Sequence, residues 1–211
     1  MSGADQSAYL GQAQASDTTG HVNPVLFAIR QQMARMAGAM LVQVKAVSAT
    51  GLEPVGFVDA LPMVHQVNGR GMPTPMPMIY NLPYLRLQGG QSAVIVDPAI
   101  DDIGLAVFAS RDISNIKQVR APSSPGSHRI HSWSDGLYIG GFLNGIPEEY
   151  IWLTGSGVKV QTKGEFSVSA SKATFNCDIT TSGDVKAGSI SLMEHTHPGV
   201  QPGNGTTGTA E

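Results

Sequence analysis

The chain has 211 residues, enough to bury a core in one large domain or two small ones, so disulfides and folding metals are not needed as staples. Charged residues make up only 14%, while Gly and Pro number 25 and 13; this texture of turns and short strands excludes a charged disordered chain and an ordinary helical enzyme surface. A net charge of −3 without any Lys/Arg cluster excludes nucleic acid as a partner, and no apolar run approaches the ~20 residues of a membrane-spanning helix.

Residues 1–22 are small and polar without periodicity and are expected to be a flexible arm. The start, MSGADQSAYL, lacks the basic and apolar regions of a secretory signal. An amphipathic helix is predicted over 23–40, with Asn23 as N-cap and Pro24 in the first turn. Val25, Leu26, Ile29, Met33, Met36 and Met40 follow at helical spacing and form one stripe expected to be buried; Arg30, Gln31, Gln32 and Arg35 lie opposite.

Strand patterning takes over from 41 to 119. LVQVKAV (41–47) and EPVGFVDAL (53–61) form one expected pair around Thr50-Gly51. SAVIVDPAI (92–100) and GLAVFAS (104–110) form a second, joined through Asp101-Asp102. Between them Pro73, Pro75, Pro77 and Pro83 forbid a central strand and leave an excursion ending in an edge strand at 84–87. Five short strands with one long loop suit a small Greek-key barrel of the oligonucleotide/oligosaccharide-binding (OB) type, although periodicity alone does not separate that from other small barrels. Residues 120–149 open with RAPSSPG and read as a linker and collar.

From 150 to 190 the sequence becomes a series of short strands, each closed by a Gly or Ser/Lys turn. Val158 and Val160, then Phe166, Val168 and Ala170, then Ala173, Phe175, Cys177 and Ile179, then Val185 and Ala187 alternate with polar residues. One narrow apolar row per strand, with no helix to cover it, leaves open edges in a single chain. Wrapping identical chains around an axis removes both defects, so an intertwined trimeric β-shaft is predicted. Cys177, the only cysteine, falls in the inward row and reads as a small buried hydrophobe; a lone cysteine also fits folding in a reducing cytosol.

The predicted apex, 191–211, contains Met193-Glu194-His195-Thr196-His197-Pro198-Gly199. Residues i and i+2 of a strand share a face, so His195 and His197 are expected to project together. Taken alone, His-x-His in a polar tail is a pair of solvated histidines. After an axial shaft, three chains bring six imidazoles to one point, which suits octahedral iron(II), nickel or cobalt better than tetrahedral zinc. Glu194 is the only carboxylate nearby, and neither an open coordination position nor a positioned base is evident.

With these residues in view, the chain resembles the central spike, or membrane-puncturing needle, of contractile-tail bacteriophages of the Mu-like type. The resemblance rests on AIDDIGLAVFASRDI (99–113), HRIHSWSDGLYIGGF (128–142), the short-strand repeats and the terminal HTHPG (195–199). It implies a mostly β homotrimer with one N-terminal helix, an OB-like barrel domain, a triple-stranded β-helix and a metal-binding apex. One Fe2+ per trimer would be held by His195 and His197 of each chain. The implied role is a virion component, made in the host cytoplasm and assembled with baseplate and tail hub proteins, that pierces the host outer membrane when the tail contracts. No enzyme activity is expected. A trimeric receptor-binding fibre or adhesin is the first alternative and a metal-dependent β-barrel enzyme the second. The former needs a binding head after Pro198, where only a short Gly/Thr-rich tail follows; the latter needs ligands and a carboxylate spread over several strands. Met72, Met76 and Met78, His65, His128 and His131, and Asp97, Asp101, Asp102 and Asp112 read as loop packing, structural histidines and turn formers.

Overall fold

The computed structural model describes residues 15–36, 38–68, 71–196, 199 and 203–204. The chain divides into two units between Pro147 and Glu148.

The first unit opens with a 3-10 turn at Ala15–Thr18 and a helix, α1, at Asn23–Arg35. The helix is shorter than expected, because Met40 already begins a strand, and its apolar stripe is exposed where burial was expected. Val22, not Asn23, holds the cap position; the Asn23 side chain donates back to the Ser16 carbonyl at 2.9 Å.

Next come β1 (Met40–Ser48), β2 (Phe57–Pro62), the short β3 (Gln66–Val67) and β4 (Pro73–Thr74), β5 (Ile79–Pro83), β6 (Leu87–Gly89), β7 (Ser92–Val94) and β8 (Ile103–Phe108). A one-and-a-half-turn helix, α2 (Ser114–Val119), and a 3-10 turn at Trp133–Asp135 lead into β9 (Gly136–Gly141). Five strands form one sheet in the order β5-β2-β1-β8-β9, every neighbour antiparallel. Its edges meet at a single parallel bridge, Tyr84 with Tyr138, where the Leu85 N–H donates to the Tyr138 carbonyl at 2.8 Å. The ladder does not otherwise close into a barrel.

Alternation decides the core. Val42 and Val44 of β1, Val58 and Ala60 of β2, and Ala106 of β8 point inward, and Ile79, Leu82, Tyr84 and Tyr138 complete the buried set. A bulge between Val44 and Ala46 sets Lys45 aside, and its ammonium reaches Asp101 at 2.8 Å.

One expected pairing and two expected element positions differ. SAVIVDPAI was expected to pair with GLAVFAS; instead β7 folds back on β6, and β8 lies between β1 and β9. The edge strand expected at 84–87 lies earlier, at β5, where Pro83 sits at the strand end. The segment 120–149, expected as linker and collar, supplies β9. Its glycines mask the strand in sequence, yet Gly141 pairs with Gly104, where the Tyr138 ring leaves no room for a Cβ.

The second unit begins with a hairpin of β10 (Tyr150–Thr154) and β11 (Gly157–Gln161). Among the described residues, no strand ladder forms from 162 to 185. The unit ends in a small hairpin of β12 (Lys186–Ala187) and β13 (Ile190–Ser191), whose two-residue turn carries Gly188 at φ +63° as a primed hairpin turn requires. Cys177, expected to be buried, is exposed in the chain alone.

Candidate metal centre at the chain apex

Both hairpins of the second unit are two-faced. In the first, Ile151 pairs with Val160 and Leu153 with Val158, so one face is wholly apolar. On the other, the Tyr150 and Trp152 rings meet edge to face at 6.4 Å and the Lys159 ammonium lies 5.5 Å from the Trp152 ring centre. The second repeats the pattern. Ala187 pairs with Ile190, and the Leu192 N–H donates to the Val185 carbonyl at 2.8 Å; those four share a face, with Lys186 and Ser191 on the reverse. The large side chains on both apolar faces are exposed, as are Phe166, Val168, Phe175 and Ile179 between the hairpins.

The second hairpin carries the apex. A turn over 192–194 follows β13, so His195 stands after a turn and not on the strand expected for it. The turn is tightly tied. The Ser191 hydroxyl oxygen accepts from the Glu194 N–H at 2.9 Å, and the Asp184 carboxylate accepts from the Met193 N–H at 3.1 Å. The Ser191 hydroxyl, with the N–H groups of Met193, Val185 and Leu192, holds Asp184 below the usual carboxylate range. The His195 N–H donates to the Ser191 carbonyl at 3.1 Å.

The imidazole is oriented by the same turn. Its Nδ1 lies 2.9 Å from the Ser191 carbonyl oxygen and 3.2 Å from that of Leu192. Carbonyl oxygens only accept, so Nδ1 carries the proton and the neutral ring places its lone pair on Nε2. Metal-binding histidines are held in this way, one ring nitrogen on a backbone carbonyl and the other toward the ion. His195 therefore fits a metal-ligand role. It borders an open groove of about 470 Å³ with Ser189, Ile190, Ser191, Glu194 and Thr196. His197, the second expected ligand, lies outside the described residues. Among the described residues, no three His, Cys, Asp or Glu side chains gather as a metal-binding group within one chain.

Sequence reading passed over two charged clusters in the first unit. Arg129 reaches the buried Asp135 through Nε and Nη2, both at 2.8 Å, and Asp112 at 3.0 Å. The hydroxyls of Ser114 and Ser127 and the Ser114 N–H bring Asp112 down to about 2, while the Arg129 guanidinium leads in lowering Asp135. In the second cluster the Tyr84 hydroxyl donates to Asp97, which also accepts from the Gly51 N–H at 2.7 Å, and the nearly buried Arg86 bonds the Ala49 and Glu53 carbonyls. Both clusters tie loops to the sheet. The turn-forming reading agrees with the bond from the Ser114 N–H to Asp112; Asp97 instead takes its bonds from Gly51 and Tyr84, distant partners that left no local signal in the sequence.

Residues 189–211 match the family model of the GpV Apex motif. That motif is the metal-binding tip of gpV-like spikes, so the match indicates a structural, virion-associated component of a phage baseplate spike. No curated protein matches the chain.

Proposed function

We propose that the chain is the central spike of a contractile-tail baseplate of the Mu-like type, a homotrimer driven through the host outer membrane on contraction. One observation carries this reading: the chain that ends in the matched apex presents two hairpins, each with one wholly apolar and exposed face. Two further copies supply the cover that one chain lacks, in a triple-stranded β-helix spanning roughly residues 150–190. The first unit fits the OB-like domain of such a spike. Its strand order and the parallel contact of its edge strands follow the five-strand Greek-key path of that fold.

At the tip, His195 and His197 of three chains are the proposed ligands of one iron(II). The ion supplies a cross-link between three chain ends. The chain's own contribution is the Ser191 carbonyl, which fixes the ligand tautomer, and the Asp184–Met193 bond, which closes the turn. The role is mechanical, with no catalytic step.

Metal analysis combined with light scattering tests this. A trimer with about one iron per three chains is expected, and His195→Ala with His197→Ala should remove the ion while the trimer persists. A double variant with its full metal content refutes the ligand assignment. A monomeric wild-type chain refutes the spike. One zinc per chain would point to the enzyme alternative, and a metal-free trimer to the adhesin.

A further inference from the structure

The one long helix of the first unit is turned the wrong way for a surface helix. Asn23, Phe27 and Gln31, on one side, are partly covered, and among the described residues α1 packs appreciably only on the turn Ala15–Thr18. The opposite side carries Val22, Val25, Leu26, Ile29, Met33 and Met36, each 48% to 65% exposed. An amphipathic helix normally buries that stripe against its own domain. Here, among the described residues, no strand of the sheet covers it to a comparable extent.

The spacing suits a second copy of the chain as the occupant. Val22, Ile29 and Met36 recur every seven residues, as do Leu26 and Met33, with Val25 between them. That is the repeat with which helices pack on copies of themselves. Charge agrees: α1 has no acidic residue, and Arg30 at the rim of the stripe already pairs with Asp17 of its own chain at 2.5 Å. The rim therefore neither recruits an acidic partner nor sets like charges unscreened against each other when copies meet.

Area argues the same way. Six half-exposed side chains of this size present roughly 500–600 Å². A separate protein partner needs about 800 Å² on each side for a stable complex, and an isolated helix of 13 residues is marginal in water. Copies already joined elsewhere face no such threshold, because tethering raises their effective concentration to about the millimolar range.

We propose that α1 is a second trimer contact, in which the stripes of three copies pack together as a short three-helix bundle. This rests on the trimeric reading of the second unit, which supplies the tether.

The test uses the full chain with Cys177→Ser, so that no other thiol remains. Ile29→Cys places a thiol at the centre of the stripe, and Gln31→Cys places one on the opposite side. Both proteins are first shown to be trimers by light scattering, then treated dilute with a mild oxidant and run on a non-reducing gel. In a threefold bundle two chains of three can pair, so about two-thirds of Ile29→Cys chains should run as covalent dimers. Gln31→Cys should stay largely monomeric on the gel and, being only partly covered, label with maleimide faster than Ile29→Cys. A trimer in which both variants cross-link and label alike overturns the helix proposal and leaves the spike reading standing; a stripe so exposed in the trimer would await a baseplate protein. If the chain with its native residues is a monomer, the spike reading falls, and this proposal with it.

Discussion

Replacing Phe175 by Asp should prevent trimer assembly. Phe175 is 65% exposed in the single chain, and the proposed shaft places it on the axial side. A phenylalanine side chain has about 200 Å² to bury, so assembly covers roughly 130 Å² of it, worth about 3 kcal/mol per chain and about 10 kcal/mol per trimer. The variant forfeits that gain and sets three carboxylates side by side out of water, at a further cost of several kcal/mol per ion unless they take up protons. Proton uptake gives the effect a pH sign. An aspartate disfavoured when charged has a raised pKa in the assembled state, so assembly should partly recover as pH falls toward about 4. Phe175→Leu should retain the trimer, and Asn176→Asp, one residue on and facing the other way, should be tolerated. Sedimentation and light scattering at pH 7 and pH 4 read all three variants. Normal assembly of Phe175→Asp together with failure of Asn176→Asp would place the row on the opposite face and refute the proposed register.

Gly104→Ala should destabilise the first unit by about 1–3 kcal/mol, because its Cβ would lie 2.3 Å from both the Gly140 carbonyl oxygen and the Tyr138 ring. Gly145→Ala, which meets nothing within 4 Å, should be neutral or stabilising by up to about 1 kcal/mol; urea unfolding read from Trp133 in a Trp152→Phe background separates the two, and equal midpoints would refute the packing. Arg129→Met should lower the melting temperature at pH 7, because Asp112 and Asp135 then stand close together without their shared cation. Carboxylates with depressed pKa values stabilise the fold above the free carboxyl range near 4 and lose that contribution as pH falls toward about 2. The gap between wild type and variant should therefore narrow below pH 4; a gap that stays the same across this range would show that Arg129 acts through its hydrocarbon stem alone.

Much of the fold was legible where local pattern and long-range packing agree. The expected pair of 41–47 with 53–61 forms as β1 and β2, and its alternation falls on Val42, Val44, Val58 and Ala60 of the core. The hairpins of the second unit keep the predicted parity, with Val158 and Val160 on one face and Val185 and Ala187 on another. Pairing partners were less legible. SAVIVDPAI has the texture of a central strand, but the tight turn at Gly90 lets 92–94 close on 87–89 before β8 is reached. The strand β9 hides among Gly136 and Gly141, which are there for close approach, and Gly140, which stands at φ +80°; together they erase its alternation. At the apex the sequence gives His195 as a ligand type but not its setting. Pairing parity predicted a strand, whereas Asp184 and Ser191 cap a turn. Nor could a sequence say which side α1 turns outward, since an apolar stripe looks the same whether its own sheet or a neighbouring copy covers it.

The exposed rows of the second unit narrow the kind of partner that suits them. A globular protein laid on one side would shelter Phe166, Val168, Phe175 and Ile179, but it would also take the adjoining backbone out of water. From 162 to 185 that backbone forms no ladder among the described residues. Each buried N–H and C=O then needs a new bond, and leaving one unmet costs about 1–3 kcal/mol, a large part of what one apolar side chain gains by burial. A partner that covers the side chains must therefore also offer strand edges, on both sides of the segment. Two copies of the same segment meet that demand, each serving as neighbour to the next. If the rotation closes after three chains, no edge is left over; if it does not close, the same faces propagate into a fibre. Closure is thus as necessary as burial. The proposed apex suits that need, because an ion held by one His-bearing turn from each chain would bind a fixed number of chains and end the assembly at a point.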